Sequence, residues 1–272
     1  LKYLAFHDKV TELENREAFY YQLDQIFTDL PRSTEGKMTA ILYCDLDAFK
    51  LVNDSLGHDI GDEVLKEVGQ RIIASLRKSD QVFRLGGDEF TVILEELEDD
   101  GYAATVAEKL LQRFQRPMQL KDRELTISAS IGISLFPQHG EDTETLLRNA
   151  DTAMYSAKQL GRNNYQFYSP AMNAVAVRRH EVLIDLRMAM EQDQLHLLYQ
   201  PKISIQDGSI IGAEALLRWE HGKKGLVYPA EFIPAAEENG LIIPLGNMVM
   251  QKTCSTAADI WRAHGPKIPP GR

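Results

Sequence analysis

The chain has 272 residues, 44% of them hydrophobic and 26% charged, and a formal net charge of −10. These are the proportions of a globular protein of one large domain or two ordinary ones, and so acidic a chain argues against non-specific gripping of a nucleic-acid backbone. Two cysteines, Cys44 and Cys254, make no disulfide framework and fit a reducing cytoplasm, and no apolar run reaches the length of a bilayer span.

The start at Leu1 rather than Met points to a segment of a longer protein, and residues 1–8 read as the end of a helix arriving from upstream. Asn15 is placed to cap a helix on which Phe19, Leu23, Ile26 and Phe27 recur at helical spacing. After a loop over 31–36, residues 38–44 form a dense apolar run that ends in Asp45-Leu46-Asp47, the pattern of a buried central strand with carboxylates at its end. A short helix is expected over 49–55, closed by Gly57, and a longer one over 59–76 with Val64, Leu65, Val68, Ile72 and Ile73 on one face.

Runs at 81–85 and 90–94 flank Gly86-Gly87-Asp88-Glu89, a hairpin signal with two acids at the mouth of the second strand. An amphipathic helix over 99–116 stops at Pro117. Residues 118–120 and 125–136 are then expected to pair as a second hairpin, with Ile127, Ala129, Ile131 and Ile133 alternating. A helix over 143–160 ends at Gly161, a residue suited to a C-terminal cap, and 165–168 reads as a short last strand. One sheet with helices packed on it makes this an α+β domain over 1–168. A helical connector is expected over 169–193. Residues 194–272 then start a new pattern of two strands, turning at Asp207-Gly208, and two helices.

Four groups of residues carry possible chemistry. Asp45 and Asp88 sit where two strands end or begin, so both can reach one sheet edge, and Mg²⁺ commonly takes one or two carboxylates plus substrate phosphates. With the Leu46 carbonyl they form a candidate metal site, although Asp45 as a helix cap is an ordinary alternative. Asn53 and Asp62, either side of Gly57-His58, offer the donors and acceptors of a guanine edge; a helix end followed by a helix start accounts for the same run. Lys158 and Arg162 lie four apart across a helix end, where they suit a triphosphate and also simply suit the helix dipole. Arg77 and Asp80 occupy a polar loop before the glycine pair.

Taken together, these runs resemble one family. Leu46-Asp47-Ala48-Phe49-Lys50, Asn53-Asp54, Gly57-His58, Gly61-Asp62, Arg84-Leu85-Gly86-Gly87-Asp88-Glu89-Phe90 and Ala157-Lys158 with Gly161-Arg162-Asn163 resemble, in order and spacing, the GGDEF family of diguanylate cyclases. The resemblance implies a mostly antiparallel sheet flanked by helices, like a nucleotidyl-cyclase or polymerase palm. It further implies that facing subunits of a homodimer condense two GTP molecules into cyclic di-GMP. On that basis Asp45, Leu46 through its backbone and Asp88 would hold Mg²⁺ or Mn²⁺, and Asn53 and Asp62 would read guanine. Lys158, Arg162 and the chain at Ala48, Phe49 and Lys50 would hold phosphates, and Gly86 and Gly87 would let the substrate approach the backbone. Asp88 and Glu89 would be the catalytic acids, with Glu89 metal-associated or deprotonating the ribose 3′-hydroxyl. Arg77 and Asp80 match the family's product-binding inhibitory pair.

One departure stands out. Where the family's opening is close to Asp-Pro-Leu-Thr-Gly-Leu-Pro-Asn-Arg, this chain has Asp8-Lys9-Val10-Thr11-Glu12-Leu13-Glu14-Asn15-Arg16, without the prolines or the glycine. The second segment resembles the start of an EAL domain, the cyclic di-GMP phosphodiesterase barrel, through Tyr199-Gln200-Pro201-Lys202 and Glu214-Ala215-Leu216-Leu217-Arg218-Trp219. There Glu214 would be a metal ligand, with Gln200 and Arg218 near the substrate. A barrel of that type needs about 250 residues and eight strands, so only an incomplete start is expected here, without hydrolytic activity. The expectations are therefore a cytoplasmic cyclase, in a parent with an upstream sensor and a possible membrane attachment. The alternative is a non-catalytic GTP- or cyclic di-GMP-sensing module that regulates an EAL phosphodiesterase.

Overall fold

A computed structural model describes residues 5–29, 37–121 and 123–265. The chain divides into two compact units, Leu1–Asn173 and Ala174–Arg272.

The first unit is built on a six-stranded sheet in the order β1-β3-β4-β2-β7-β8. Its strands are β1 (Glu14–Asn15), β2 (Met38–Leu46), β3 (Gln81–Gly86), β4 (Glu89–Leu97), β7 (Ala129–Phe136) and β8 (Tyr165–Phe167). β2 sits in the middle, antiparallel to both β4 and β7; only the edge pairings, β1 with β3 and β7 with β8, are parallel. Side chains alternate across a strand, so β2 feeds two cores. Ala40, Leu42, Cys44 and Leu46 join the face covered by α3 (His58–Ile73) and α4 (Gly101–Phe114), while Ile41 and Tyr43 join the face under α1 (Arg16–Asp29) and α5 (Thr143–Gln159). With both faces buried, the strand reads as a continuous apolar run instead of an alternating one. α2 (Phe49–Leu56) completes the unit and meets α3 at Gly57, which takes φ 87.

The helix ends follow from local chemistry. Asn15 Oδ1 accepts from the backbone of Glu17 and Ala18, and Asp142 caps α5 by accepting from Thr145 N at 2.8 Å. α5 seats tightly on β7: a Cβ on Gly132 would lie 1.9 Å from the Ala150 carbonyl oxygen, so only glycine lets the backbones come this close.

Two sequence expectations change here. The strand expected over 125–136 is two strands. Leu125 belongs to β6 (Arg123–Leu125), which forms a separate ribbon with β5 (Met118–Leu120), and Ala129 begins the central strand β7. Residues 126–128 leave the ladder between them, and it is the same stretch that carries Ser128 towards the end of β2. The helix expected over 59–76 ends at Ile73. The loop expected over 31–36 and the first half of the upstream helix end, residues 1–4, lie outside the described residues; Ala5 and Phe6 are helical.

The second unit has its own core, with Trp219 and Phe232 fully buried at its centre. A three-stranded antiparallel sheet, β11-β10-β9, is made from β9 (Leu195–Ile203), β10 (Ile210–His221) and β11 (Gly225–Val227), and the last of these was not expected from sequence. Helices α7 (Pro229–Glu238) and α8 (Ile242–His264) follow. The helix read as a connector, α6 (Pro170–Glu191), contributes Val182, Leu186 and Ala189 to this core. No closed barrel exists among the described residues, and none of their helices is long and apolar enough to cross a membrane.

Candidate active site

The central strand delivers its carboxylates to one end of the sheet. Asp45 lies opposite Glu89 on one side and Ser130 on the other, and Leu46 N donates to the Asp88 carbonyl at 3.3 Å. The last turn of α5 brings Lys158 Nζ to 2.7 Å from Asp45 Oδ1. Burial pushes the Asp45 carboxyl up to about 6; Lys158 opposes that rise, while Asp88 and Glu89 add to it. Three carboxylates therefore crowd one end of the sheet, and the Lys158 ammonium is paired with one of them, Asp45. Such a place favours further positive charge.

On the same face, two residues earlier, Tyr43 is hydrogen-bonded to Glu89, and burial followed by Glu89 drives its phenol well above the ordinary range. Asp151 on α5 keeps surface exposure, yet its carboxyl is also raised, by desolvation and then by Glu89, with Lys158 pulling the other way.

The hairpin between β3 and β4 is shaped by its glycines and braced by an arginine. Gly86 and Gly87 take φ 146 and 53, and a Cβ on either would meet nothing within 4 Å, so their value lies in backbone angles and open approach. Arg84, buried, donates to the Gly87 carbonyl through Nε at 3.1 Å and Nη2 at 2.6 Å, and through Nη1 to Asp8 Oδ1 at 2.6 Å. Asp8 also accepts from Val10 N, Thr11 N and the Thr11 hydroxyl. Burial tends to raise the Asp8 carboxyl, but the bonds from Thr11 and Arg84 outweigh it and leave it lowered. The opening turn is thus held by side-chain bonds where the prolines are missing.

The remaining residues line up beyond the strand end. Ala48, at φ 56, turns the chain into α2, whose first N–H groups belong to Phe49, buried, and Lys50, exposed. Asn53 lies against the start of α3 because Gly61 has no side chain: a Cβ there would sit 1.9 Å from Asn53 Oδ1. Gly61 is buried, Asn53 half-buried and Asp62, the next residue of α3, exposed. His58 is exposed at the start of α3. Arg162 is exposed in the turn after α5 at φ 60.

Arg77 and Asp80 form a closed arrangement of their own. Asp80 Oδ2 accepts from Arg77 N at 3.0 Å and from the Tyr102 hydroxyl at 2.9 Å. Arg77 Nε is 3.4 Å from Asp80 Oδ1, and its guanidinium lies 3.6 Å from the centre of the Tyr102 ring. Arg77 remains about half exposed, while the Asp80 side chain is fully covered. The tyrosine stack was not foreseen from sequence, since nothing at 102 points back 22 residues. The sequence likewise gives Tyr43, Arg84 and Asp47 no role of their own, although an arginine beside a glycine turn is a signal of a braced loop.

Among the described residues no group of three or more histidine, cysteine and acidic side chains makes a metal cage. Two carboxylates and a backbone carbonyl are a smaller donor set, all hard oxygen, of the kind Mg²⁺ completes with phosphates. The raised Asp45 carboxyl and its pairing with Lys158 fit that set, because a cation already stands where positive charge is favoured. In the second unit, Gln200 and Glu214 are direct cross-strand partners, Lys202 Nζ lies 4.0 Å from Glu214, and Arg218 lies further along β10, donating to the Leu217 carbonyl at 2.8 Å.

Comparison with known proteins gives two family matches, "Diguanylate cyclase, GGDEF domain" over residues 5–164 and "EAL domain" over 184–270. A relative from Pseudomonas aeruginosa, the bifunctional diguanylate cyclase/cyclic di-GMP phosphodiesterase MucR, is 47% identical over 251 residues, 92% of this chain and 36% of its own. The cyclic di-GMP phosphodiesterase NbdA of the same organism is 42% identical over 93% of this chain and 32% of its own. The chain thus spans about a third of the length of these curated relatives. Among solved structures, the GGDEF domain of P. aeruginosa TpbB (YfiN) superposes with a TM-score of 0.60 at 37% identity, covering 62% of this chain and 98% of that one. The coiled coil and GGDEF domain of Caulobacter crescentus DgcB in complex with c-di-GMP gives 0.55 at 26% identity, covering 61% and 87%.

Proposed function

Because the chain belongs to the GGDEF family of diguanylate cyclases through residues 5–164, with an EAL match after it, we propose that its first unit condenses two GTP molecules into cyclic di-GMP. The observation that carries this reading is the meeting of Asp45, Glu89 and Lys158 at one sheet end, beside the open Gly86-Gly87 backbone. Asp45, the Leu46 carbonyl and Asp88 hold Mg²⁺ or Mn²⁺, which when bound draws charge from the phosphates. Lys158, Arg162 and the N–H groups at the start of α2 hold the triphosphate, and Asn53 with Asp62 orients guanine.

The 3′-hydroxyl of one GTP attacks the α-phosphorus of the other, a phosphorus–oxygen bond forming as the bond to pyrophosphate breaks, and the reciprocal attack closes the ring and releases the second pyrophosphate. Glu89, which is hydrogen-bonded to Tyr43, receives the hydroxyl proton in this reading. Each chain presents one half of this arrangement, so turnover takes a homodimer. Cyclic di-GMP returning to Arg77 and Asp80 supplies feedback inhibition. The GTP substrate and the two thiols suit a cytoplasmic location.

The name of NbdA favours a second reading, in which the unit binds nucleotide and regulates a phosphodiesterase in a longer parent. One assay separates the two. Purified chain with GTP and Mg²⁺ should yield cyclic di-GMP. Asp88→Ala should abolish turnover, and Arg77→Ala should shift product inhibition to higher concentration. GTP binding without product at any chain concentration would establish the regulatory reading instead.

A further inference from the structure

Asp47 follows the metal-bearing end of β2 directly, and the proposed chemistry gives it no task. It is 8% exposed, and its backbone N–H still donates to the Ser128 carbonyl at 2.9 Å. Its carboxylate draws three donors from distant parts of the chain: Oδ1 accepts from the Ser130 hydroxyl at 2.8 Å, and Oδ2 accepts from the Ser128 hydroxyl at 2.7 Å and from Asn163 N at 3.2 Å.

The third donor matters most. Gly161, Arg162 and Asn163 take φ 107, 60 and 50 in succession, and the latter two are side-chain-bearing residues in the left-handed region. Such backbone is costly, about 1 kcal/mol or more for each non-glycine residue, and persists only where surrounding bonds dictate it. Two sets of bonds do so here. Asn164 Nδ2 donates to the Ala157 and Arg162 carbonyls at 2.7 and 2.9 Å, and Asp47 takes the Asn163 N–H from the side of the sheet. Asp47 therefore joins three parts: the strand end bearing Asp45 and Leu46, the start of α2 at Ala48, and the turn that carries Arg162.

We infer that Asp47 is a positioning residue for the triphosphate: it holds the strained Gly161–Asn163 turn so that Arg162 is fixed relative to the end of β2. The inference rests on the nucleotide reading above but adds a residue that touches no substrate. Asp47→Asn keeps the volume but removes the charge and one accepting oxygen; a serine hydroxyl can turn to accept from the new amide, whereas the Asn163 N–H, a donor only, keeps at best a neutral acceptor. By titration calorimetry with a non-hydrolysable GTP analogue and Mg²⁺, the variant's affinity should fall about tenfold, the effect of one charge-assisted hydrogen bond. Affinity for guanosine, which lacks phosphates, should stay within twofold.

If Asp47→Asn does not fold, Ser128→Ala removes only the hydroxyl that shares Oδ2 with Asn163, and should weaken the analogue severalfold while sparing guanosine. Equal loss of both ligands, or unchanged affinity for the analogue, would overturn the assignment while wild-type binding leaves the nucleotide reading intact. Wild-type chain that binds neither ligand would overturn both.

Discussion

Glu12 holds φ 61, in the region an L residue enters at a cost of about 1–2 kcal/mol, at the position where the family's usual opening has glycine. The chain tolerates this because Asp8 accepts from Glu12's neighbours Val10 and Thr11 and its own carbonyl accepts the Glu12 N–H at 2.9 Å. Glu12→Gly should therefore raise stability by about 1 kcal/mol in denaturant titration, with part of the relief offset by the freer unfolded chain. No gain would mean that the turn carries no strain.

Asp45 gives a second test, through pH. Its folded carboxyl stands near 6 against 3.8 for an ordinary one, so the folded state favours the proton. The stability contributed by that proton is full below 3.8 and is lost as pH rises through 6. Without divalent cation, wild type should lose stability relative to Asp45→Asn between pH 4 and 7. A flat difference across that range would remove the raised carboxyl.

At this scale the sequence was informative where identity itself carries the chemistry: the acids, Lys158 and the glycine pair stand out by type. Asp47, Arg84 and Tyr102 did not, because their meaning lies in partners 116, 76 and 22 residues away.

Among the elements, the long apolar strands and the helices they bury were readable because burial on both faces leaves a continuous run, and a capped amphipathic helix leaves a period. The division of 125–136 was not readable. Alternation through Ile127, Ala129 and Ile131 is uninterrupted in sequence, and nothing in it announces that 126–128 leave the ladder and that the chain changes partner strand between β6 and β7. The end of α4 shows a further device that no local pattern announces. Arg71 on α3 donates to the carbonyls of Arg113, Arg116 and Pro117 at 2.7, 2.6 and 3.0 Å, and its Nε binds Glu67 at 2.8 Å. A cation that satisfies the orphan carbonyls of a helix end ties the two helices together. Arg71→Ala should cost about 3 kcal/mol in denaturant unfolding, since several acceptors lose one charged donor. A loss under about 1 kcal/mol would show that water replaces it.

For the molecule as a whole, the two units keep separate cores: no buried residue of the second unit's cluster appears in either cluster of the first. Residues 1–173 contain the whole sheet and every residue of the proposed cyclase site. That fragment should unfold cooperatively and bind GTP with the affinity of the full chain, as measured by calorimetry. Failure to fold would mean that the first unit depends on the second.

The bond from Arg84 to Asp8 has a mechanical side. A guanidinium is flat and stiff, and this one is pinned at both ends, to the Gly87 carbonyl and to a carboxylate that itself anchors the opening turn. It acts as a strut, with no slack of side-chain rotation between its two ends. The chain at residue 8 and the glycine turn, 76 residues further on, are thus linked through one side chain and not only through the sheet.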